Sequence, residues 1–295
     1  MHKAGYVNII GNPNVGKSTL MNALVGEKLS IITSKSQTTR HRIMGIVNGE
    51  DFQIVYTDTP GIVNPHYKLH ESMMSYVGSA LQDADLFLLV TEMGENFKNQ
   101  AVLQKVIGSG IPVILVINKI DLSDQESVQR MMSYWQEQIP RAVVIPCSAT
   151  ERFNVDKIFD TILEQLPPAP PYFPKDELTD RSMRFFVSEI IREKLLLYYQ
   201  KEIPYSCEVA VELYEEKPHV DNISAVIYVE RESQKAIVIG HQGKAIKRVG
   251  VEARKDIEAF TGKECFLSLH VKVLKDWRNS ARALRHFGYA MENDA

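Results

Sequence analysis

Cysteine is scarce in this chain. There are three in 295 residues, Cys147, Cys207 and Cys265, far apart and without metal-ligand spacing. So odd and scattered a set excludes a disulfide-stapled scaffold and predicts reduced thiols in a cytosolic protein. No apolar run approaches the roughly 20 residues that span a bilayer, so no membrane-spanning segment is expected. The first strand-like run starts within about five residues of Met1, which leaves no room for a signal peptide. A large excess of charge is missing too. With 34 Lys and Arg against 37 Asp and Glu the net charge is −3, too balanced for a protein dominated by nucleic-acid binding. After residue 180 there is no cluster of carboxylates, histidines or cysteines, and His219 and His270 stand alone. That argues against a second catalytic domain acting on a small substrate. Internal repeats are absent, and the low-complexity content is one proline-rich stretch.

What is present is ordinary in bulk, 44% hydrophobic and 24% charged, as in soluble globular proteins. The length points to two domains. The charge is unevenly placed. Residues 235–290 carry 12 Lys or Arg against 5 Asp or Glu, a local +7 that leaves −10 for the rest of the chain. Such asymmetry predicts an anionic partner for that segment.

Residues 11–18, Gly11-Asn12-Pro13-Asn14-Val15-Gly16-Lys17-Ser18, complete the pattern G-x-x-x-x-G-K-[ST] of a phosphate loop. The apolar run Tyr6–Ile10 before it reads as a buried strand, and Ser18–Val25 after it has helical spacing. Gly11 and Gly16 let the backbone curl until its N–H groups face phosphate oxygens. Lys17 would reach the β- and γ-phosphates, Ser18 would ligate magnesium, and Thr19 continues the first helical turn. Strand-like Phe52–Thr57 delivers Asp58-Thr59-Pro60-Gly61. Asp58 is placed to hold magnesium through water, and the Gly61 N–H to meet the γ-phosphate. A second apolar strand, Ile111–Ile117, delivers Asn118-Lys119-Ile120-Asp121. A carboxylate at Asp121 accepts from both N1–H and the exocyclic amine of guanine, whereas adenine would leave it unpaired. Asn118 would brace base and loop, the Lys119 stem would lie over the ring, and the Ala149 N–H of Cys147-Ser148-Ala149 would meet guanine O6.

Strands and helices alternate through about residue 166. Helical patterns fall near 67–82, 97–109, 124–138 and 154–166. Arg42–Asn48 and Phe52–Thr57, joined by three residues, predict one antiparallel pair at a sheet edge. The expected fold is α/β, a mostly parallel sheet with helices on both faces over 1–166. Residues 167–180, opening with Pro167-Pro168-Ala169-Pro170-Pro171, read as a stiff linker rather than a ligand for a proline-binding module. Residues 181–295 read as an α+β domain: helix at Ser182–Lys201, strands at Cys207–Tyr214 and Ile223–Glu230, and a short apolar segment Ala236–Ile239 taken as a strand. A helix over Lys244–Thr261, a strand over Phe266–Val273 and a last helix over about Lys275–His286 follow.

Gly240-His241-Gln242-Gly243 is a G-x-x-G ridge at a helix start, against which a phosphate backbone can lie. Lys244, Lys247 and Arg248 add charge just inside that helix. Arg278, Arg282 and Arg285, spaced by four and three, would share one face of the last helix and offer further RNA contact, or simply a solvated basic face.

These motifs together with Gln37-Thr38-Thr39-Arg40, Glu189-Ile190-Ile191-Arg192-Glu193-Lys194-Leu195-Leu196 and Glu202-Ile203-Pro204-Tyr205 resemble the Era family of bacterial GTPases, over essentially the whole chain. The resemblance implies a phosphate-loop GTPase domain followed by a type II KH domain, with GTP or GDP and magnesium as ligands. It implies binding near the 3′ end of small-subunit ribosomal RNA during maturation of the 30S subunit, by a monomer, and some peripheral contact with the inner membrane. Action at the membrane surface or in tRNA processing is the alternative. Ser18, Asp58 and Thr39, or Thr38 in its place, would surround the metal. Ile62 stands where Ras-like enzymes carry a water-orienting glutamine, so direct orientation by that residue is excluded and turnover is expected to be slow. Lys17, Asn14, Thr39 and Gly61 are expected to carry hydrolysis. Asn14 is similar to the potassium ligand of cation-activated relatives, the alternative being that it caps its own turn.

Overall fold

Strand β1 (Lys3–Gly11) runs straight into the glycine turn and helix α1 (Lys17–Val25). The computed structural model describes residues 1–35, 37–95, 97 and 99–289. By its contacts the chain forms two units. One holds Met1–Asn64 and Met73–Asp180; the other holds Pro65–Ser72 and the chain from Arg181 on.

In the first unit β2 (Ile43–Asn48), β3 (Phe52–Asp58), β4 (Leu86–Glu92), β5 (Val113–Asn118) and β6 (Val143–Pro146) join β1 in one sheet, ordered β2-β3-β1-β4-β5-β6. Only β2 is antiparallel, pairing Asn48 with Gln53 across the tight connection that the sequence predicts. Helices α2 (Lys68–Ala80), α3 (Gln100–Gly108) and α4 (Gln125–Gln138) bury Val77, Val106 and Trp135 against Phe87, Leu89, Leu115 and Ile117. The alternate strand residues Leu88, Ile114 and Val116 are equally buried, so both faces are covered, and α1 packs against α5 (Val155–Gln165). This explains the unbroken apolar runs of the central strands. Parallel pairing aligns Gly11 with Val90 and Ile9 with Asp58, which gathers the strand ends that carry the motifs.

The proline-rich stretch is extended, and it is fastened to the first unit. Gln53 Nε2 donates to Phe173 O, and its Oε1 accepts from the N–H groups of Tyr172 and Phe173. Lys175 Nζ donates to Gly49 O and Glu50 O, and Ile46 N donates to Leu178 O on the open edge of β2. Residues 168–180 are thus a strap along this sheet edge.

The second unit contains α6 (Met183–Tyr198), α7 (Ile203–Ser206), β7 (Glu208–Glu215), β8 (Val220–Val229), α8 (Glu232–Ile239), α9 (Lys244–Thr261), β9 (Glu264–Val273) and α10 (Ala281–His286). Its sheet is ordered β7-β8-β9, with β8 antiparallel to β7 and parallel to β9. Ile191, Leu195, Ile223, Ile227, Val249 and Ile257 form the core between helices and sheet. Two sequence expectations are corrected here. Ala236–Ile239 is the last turn of helix α8, not a strand. The Gln234 side chain accepts from the N–H groups of Glu230 and Arg231 and starts the helix, and four apolar residues are too few to set a period. The last helix is broken. Trp277–Asn279 is a single 3₁₀ turn, Ser280 is extended, and its Oγ accepts from Ala283 N to start α10. Arg278 therefore does not share a helix face with Arg282 and Arg285. Among the described residues no helix is long and apolar enough to cross a membrane.

Candidate nucleotide site and RNA-facing loop

The phosphate loop needs both glycines where they stand. Gly16 has φ +92°, and a Cβ there would lie 2.2 Å from Asn118 Nδ2; one on Gly11 would lie 2.2 Å from Val90 O. Asn118 uses the space so created. Its Nδ2 donates to Val15 O at 2.9 Å, and its Oδ1 accepts from Ala149 N at 3.0 Å, which ties the loop to Ser148-Ala149. The Ala149 N–H expected to face guanine O6 is thus already engaged in this structure. Lys119, at φ +61°, donates from Nζ to Asn14 O at 2.6 Å. Asp121 sits exposed in the 3₁₀ turn Ile120–Leu122 beside the buried Cys147, whose thiol is pushed up to about 12 by burial and by the Asp121 charge.

Lys17 is buried, with Nζ donating to Gly11 O at 3.1 Å and Asn12 O at 2.8 Å. Ahead of it three oxygen side chains converge. Ser18 Oγ donates to Asp58 Oδ2 at 2.6 Å, Thr39 Oγ1 reaches the same oxygen at 3.2 Å, and the two hydroxyls are 2.8 Å apart. Asp58 Oδ1 is buried and has no hydrogen-bond partner among the described residues. Burial raises the Asp58 carboxyl above the usual range, opposed by the Lys17 charge and by these hydroxyl donors. Three hard oxygens with an orphan carboxylate oxygen suit magnesium. Of the two threonines, Thr39 joins this trio, while Thr38 Oγ1 donates to Lys35 O at 2.6 Å. A cavity of about 320 Å³ opens between the loop from Pro13 to Thr19, residues 31–34 and 37–39, Gly61 and Lys119. Gly61 closes tightly on the loop, since a Cβ there would meet Pro13 Cα at 2.7 Å. Thr59 Oγ1 donates to Ile9 O, Pro60 is buried, and the Ile62 side chain turns into the core beside Ile10 and Val77. The Asn14 side chain is exposed on the cavity wall and has no hydrogen bond among the described residues. Two acids escaped the sequence reading. Glu95 accepts from Asn12 Nδ2 at 2.8 Å, and Glu92 pairs with Lys119; neither belongs to a recognisable motif.

In the second unit Gly240 (φ +72°) and Gly243 (φ +73°) frame the exposed His241 and Gln242, and Gly243 caps α9 without any side-chain cap. A Cβ at Gly240 would meet Ala245 Cβ at 2.6 Å, whereas Gly243 faces open space. Lys244 N donates back to His241 O, no side chain caps the start of α9, and Lys244 and Lys247 beside it are exposed. Arg248 lies 4.2 Å above the Tyr198 ring. Arg282 is exposed on α10. Arg278 stands apart from these, paired with Glu230 and 4.7 Å over the Tyr67 ring.

The family described as 50S ribosome-binding GTPase matches residues 6–119, and the KH domain family matches 202–278. GTPase Era of Alkaliphilus metalliredigens is 42% identical over 292 residues, covering 98% of this chain and 99% of that protein. The chain belongs to the GTPase Era family. It is accordingly a GTPase, built from a phosphate-loop domain and a KH domain. An Era variant from Aquifex aeolicus bound to GDP and AlF4− superposes with a TM-score of 0.94 at 37% identity, covering 98% of this chain and all of that one. Era in complex with MgGDPNP and nucleotides 1506–1542 of 16S ribosomal RNA does so with a TM-score of 0.94 at 36% identity, covering 99% and 100%.

Proposed function

We propose that this GTPase binds GTP with magnesium at the loop from Gly11 to Thr19, and small-subunit ribosomal RNA near its 3′ end at Gly240–Arg248, as a switch in maturation of the 30S subunit in the cytoplasm. The observation that carries the nucleotide reading is the convergence of Ser18, Thr39 and Asp58 ahead of Lys17. The Era complex with 16S ribosomal RNA supports the choice of polynucleotide, and the uncapped, lysine-flanked start of α9 supplies the chemistry.

The residues divide the work. Loop amides and Lys17 grip the β- and γ-phosphates, and Asp121 selects guanine. Ser18, Thr39 and Asp58 would hold the magnesium ion, which when bound offsets charge on the β- and γ-phosphates. Ile62 is aliphatic and buried, so it orients no water, and unassisted turnover belongs at or below the order of 10⁻³ s⁻¹. The open Asn14 amide supports a potassium ion as the missing positive charge; equal rates in potassium and sodium buffers would remove that part. Thr39 and Gly61 respond to the γ-phosphate, and the RNA surface is expected to be competent in the GTP state. The test is binding of a 3′-end small-subunit ribosomal RNA fragment in GDP and in a non-hydrolysable GTP analogue. Tighter binding with the analogue is expected, and equal affinities would sink the switch.

A further inference from the structure

The turn after β4 carries two carboxylates that no motif accounts for. Glu95 N donates to Glu92 O at 3.2 Å, and Gly94 at φ +72° occupies the third position of this turn, where a left-handed residue is required. The turn fixes how far apart the two acids stand, and β4 lies beside β1 with Val90 opposite Gly11. Glu95 Oε1 accepts from Asn12 Nδ2 at 2.8 Å, and its Oε2 accepts from Thr91 Oγ1 at 3.4 Å. Asn12 O in turn accepts from Lys17 Nζ at 2.8 Å. Glu92 pairs with Lys119, whose Nζ also holds Asn14 O at 2.6 Å. Asn14 is at φ +68°, a left-handed conformation that asparagine enters more readily than most residues, and the Lys119 bond to its carbonyl fixes it there.

We propose that Glu92 and Glu95 are positioning residues of the phosphate loop, Glu95 on the phosphate side through Asn12 and Glu92 on the base side through Lys119. Neither carboxylate touches the reacting atoms. Two acids beside a polyphosphate would repel it if their charge were free. Glu92 is paired with Lys119, and the Glu95 carboxylate is taken up by donors from Asn12 and Thr91. The brace gives a loop of only two glycines the rigidity that a catalytic cradle needs.

This rests on the loop being the GTP site, so the full chain must first bind GDP; absence of binding would overturn that reading and this inference with it. Single-turnover hydrolysis and release of a fluorescent GDP then separate the two acids. Glu95→Ala should slow hydrolysis about tenfold while GDP release changes little. Glu95→Gln, whose amide oxygen still accepts from Asn12, should restore most of the rate. Glu92→Ala should speed GDP release about tenfold. The double variant Glu95→Ala with Asn12→Ala should be no slower than either single variant. Unchanged hydrolysis in Glu95→Ala, unchanged release in Glu92→Ala, or losses that multiply in the double variant would overturn the proposal. Should Glu95→Ala not fold, Asn12→Ala removes the same hydrogen bond from its other end, and hydrolysis at the unsubstituted rate there overturns it equally.

Discussion

Lys17 carries an ammonium that the fold buries beside the phosphate loop. Burial brings its ammonium down to about 8, against the opposing pull of Asp58 and Glu95. An unfolded lysine titrates near 10.4, so between about pH 8 and that value the unfolded chain binds more protons than the folded one. Stability of the nucleotide-free protein should therefore rise with pH across this window. A polyphosphate does the reverse, because it stabilises the ammonium. Above about pH 8 nucleotide binding should take up a proton, and GDP affinity should fall as pH climbs. Calorimetric titration near about pH 8.5 in two buffers of different ionisation enthalpy measures that uptake; identical heats would contradict it. At the base end, Asp121→Asn exchanges a two-fold acceptor for a group that matches guanine poorly. Competition binding should show preference moving from guanosine toward xanthosine diphosphate, by an order of magnitude or more on each side.

The elements that the sequence makes legible are those where two signals agree. Lys244–Thr261 is a helix over the expected span because a G-x-x-G start, an amphipathic face and Gly262 at its end all coincide. The strand, glycine turn and helix from Lys3 to Val25 are legible for the same reason. Ala236–Ile239 is misread because four β-branched and small apolar residues suit either period, and the capping that decides it comes from Gln234 outside the run. The break at Ser280 is hidden because Trp277 is anchored from outside its own segment, its Nε1 donating to Ser206 O at 2.9 Å. Glu92 and Glu95 are illegible because their partners lie in β1's loop and at the end of β5, brought near only by sheet order. For α9 the prediction is local. Gly243 caps the helix at φ +73° with open space around it, so Gly243→Asp fits sterically and costs roughly 1 kcal/mol in backbone strain. Its carboxylate would stand where a phosphate must come. Filter binding should show RNA affinity reduced more than about tenfold, with GDP affinity unchanged; loss of both would mean that the loop does not act on RNA alone.

At the scale of the whole chain, residues 61–72 pass from the phosphate-loop unit into the unit that carries the KH fold. Gly61 closes on Pro13 in the first unit, yet from Pro65 the chain already belongs to the second. There the Tyr67 ring stacks on His70 and lies under the Arg278 guanidinium, and Lys68 N donates to Asn279 Oδ1 at 3.4 Å. Arg278 is thus a fastener of this segment, held by Glu230 on its far side, and its cation is spent on an aromatic face and a carboxylate. Three residues of chain separate Gly61 from Pro65, so a shift of Gly61 on loss of the γ-phosphate pulls directly on a segment that the KH unit holds. Tyr67→Ala removes the ring without touching the phosphate loop or the G-x-x-G turn. It should leave single-turnover GTP hydrolysis and GDP affinity close to the unsubstituted values. The ratio of RNA affinities between the GTP-analogue and GDP states should shrink toward one, because the second unit no longer grips the moving segment. Measured by filter binding in both states, an unchanged ratio would show that the coupling runs through some other part of the chain.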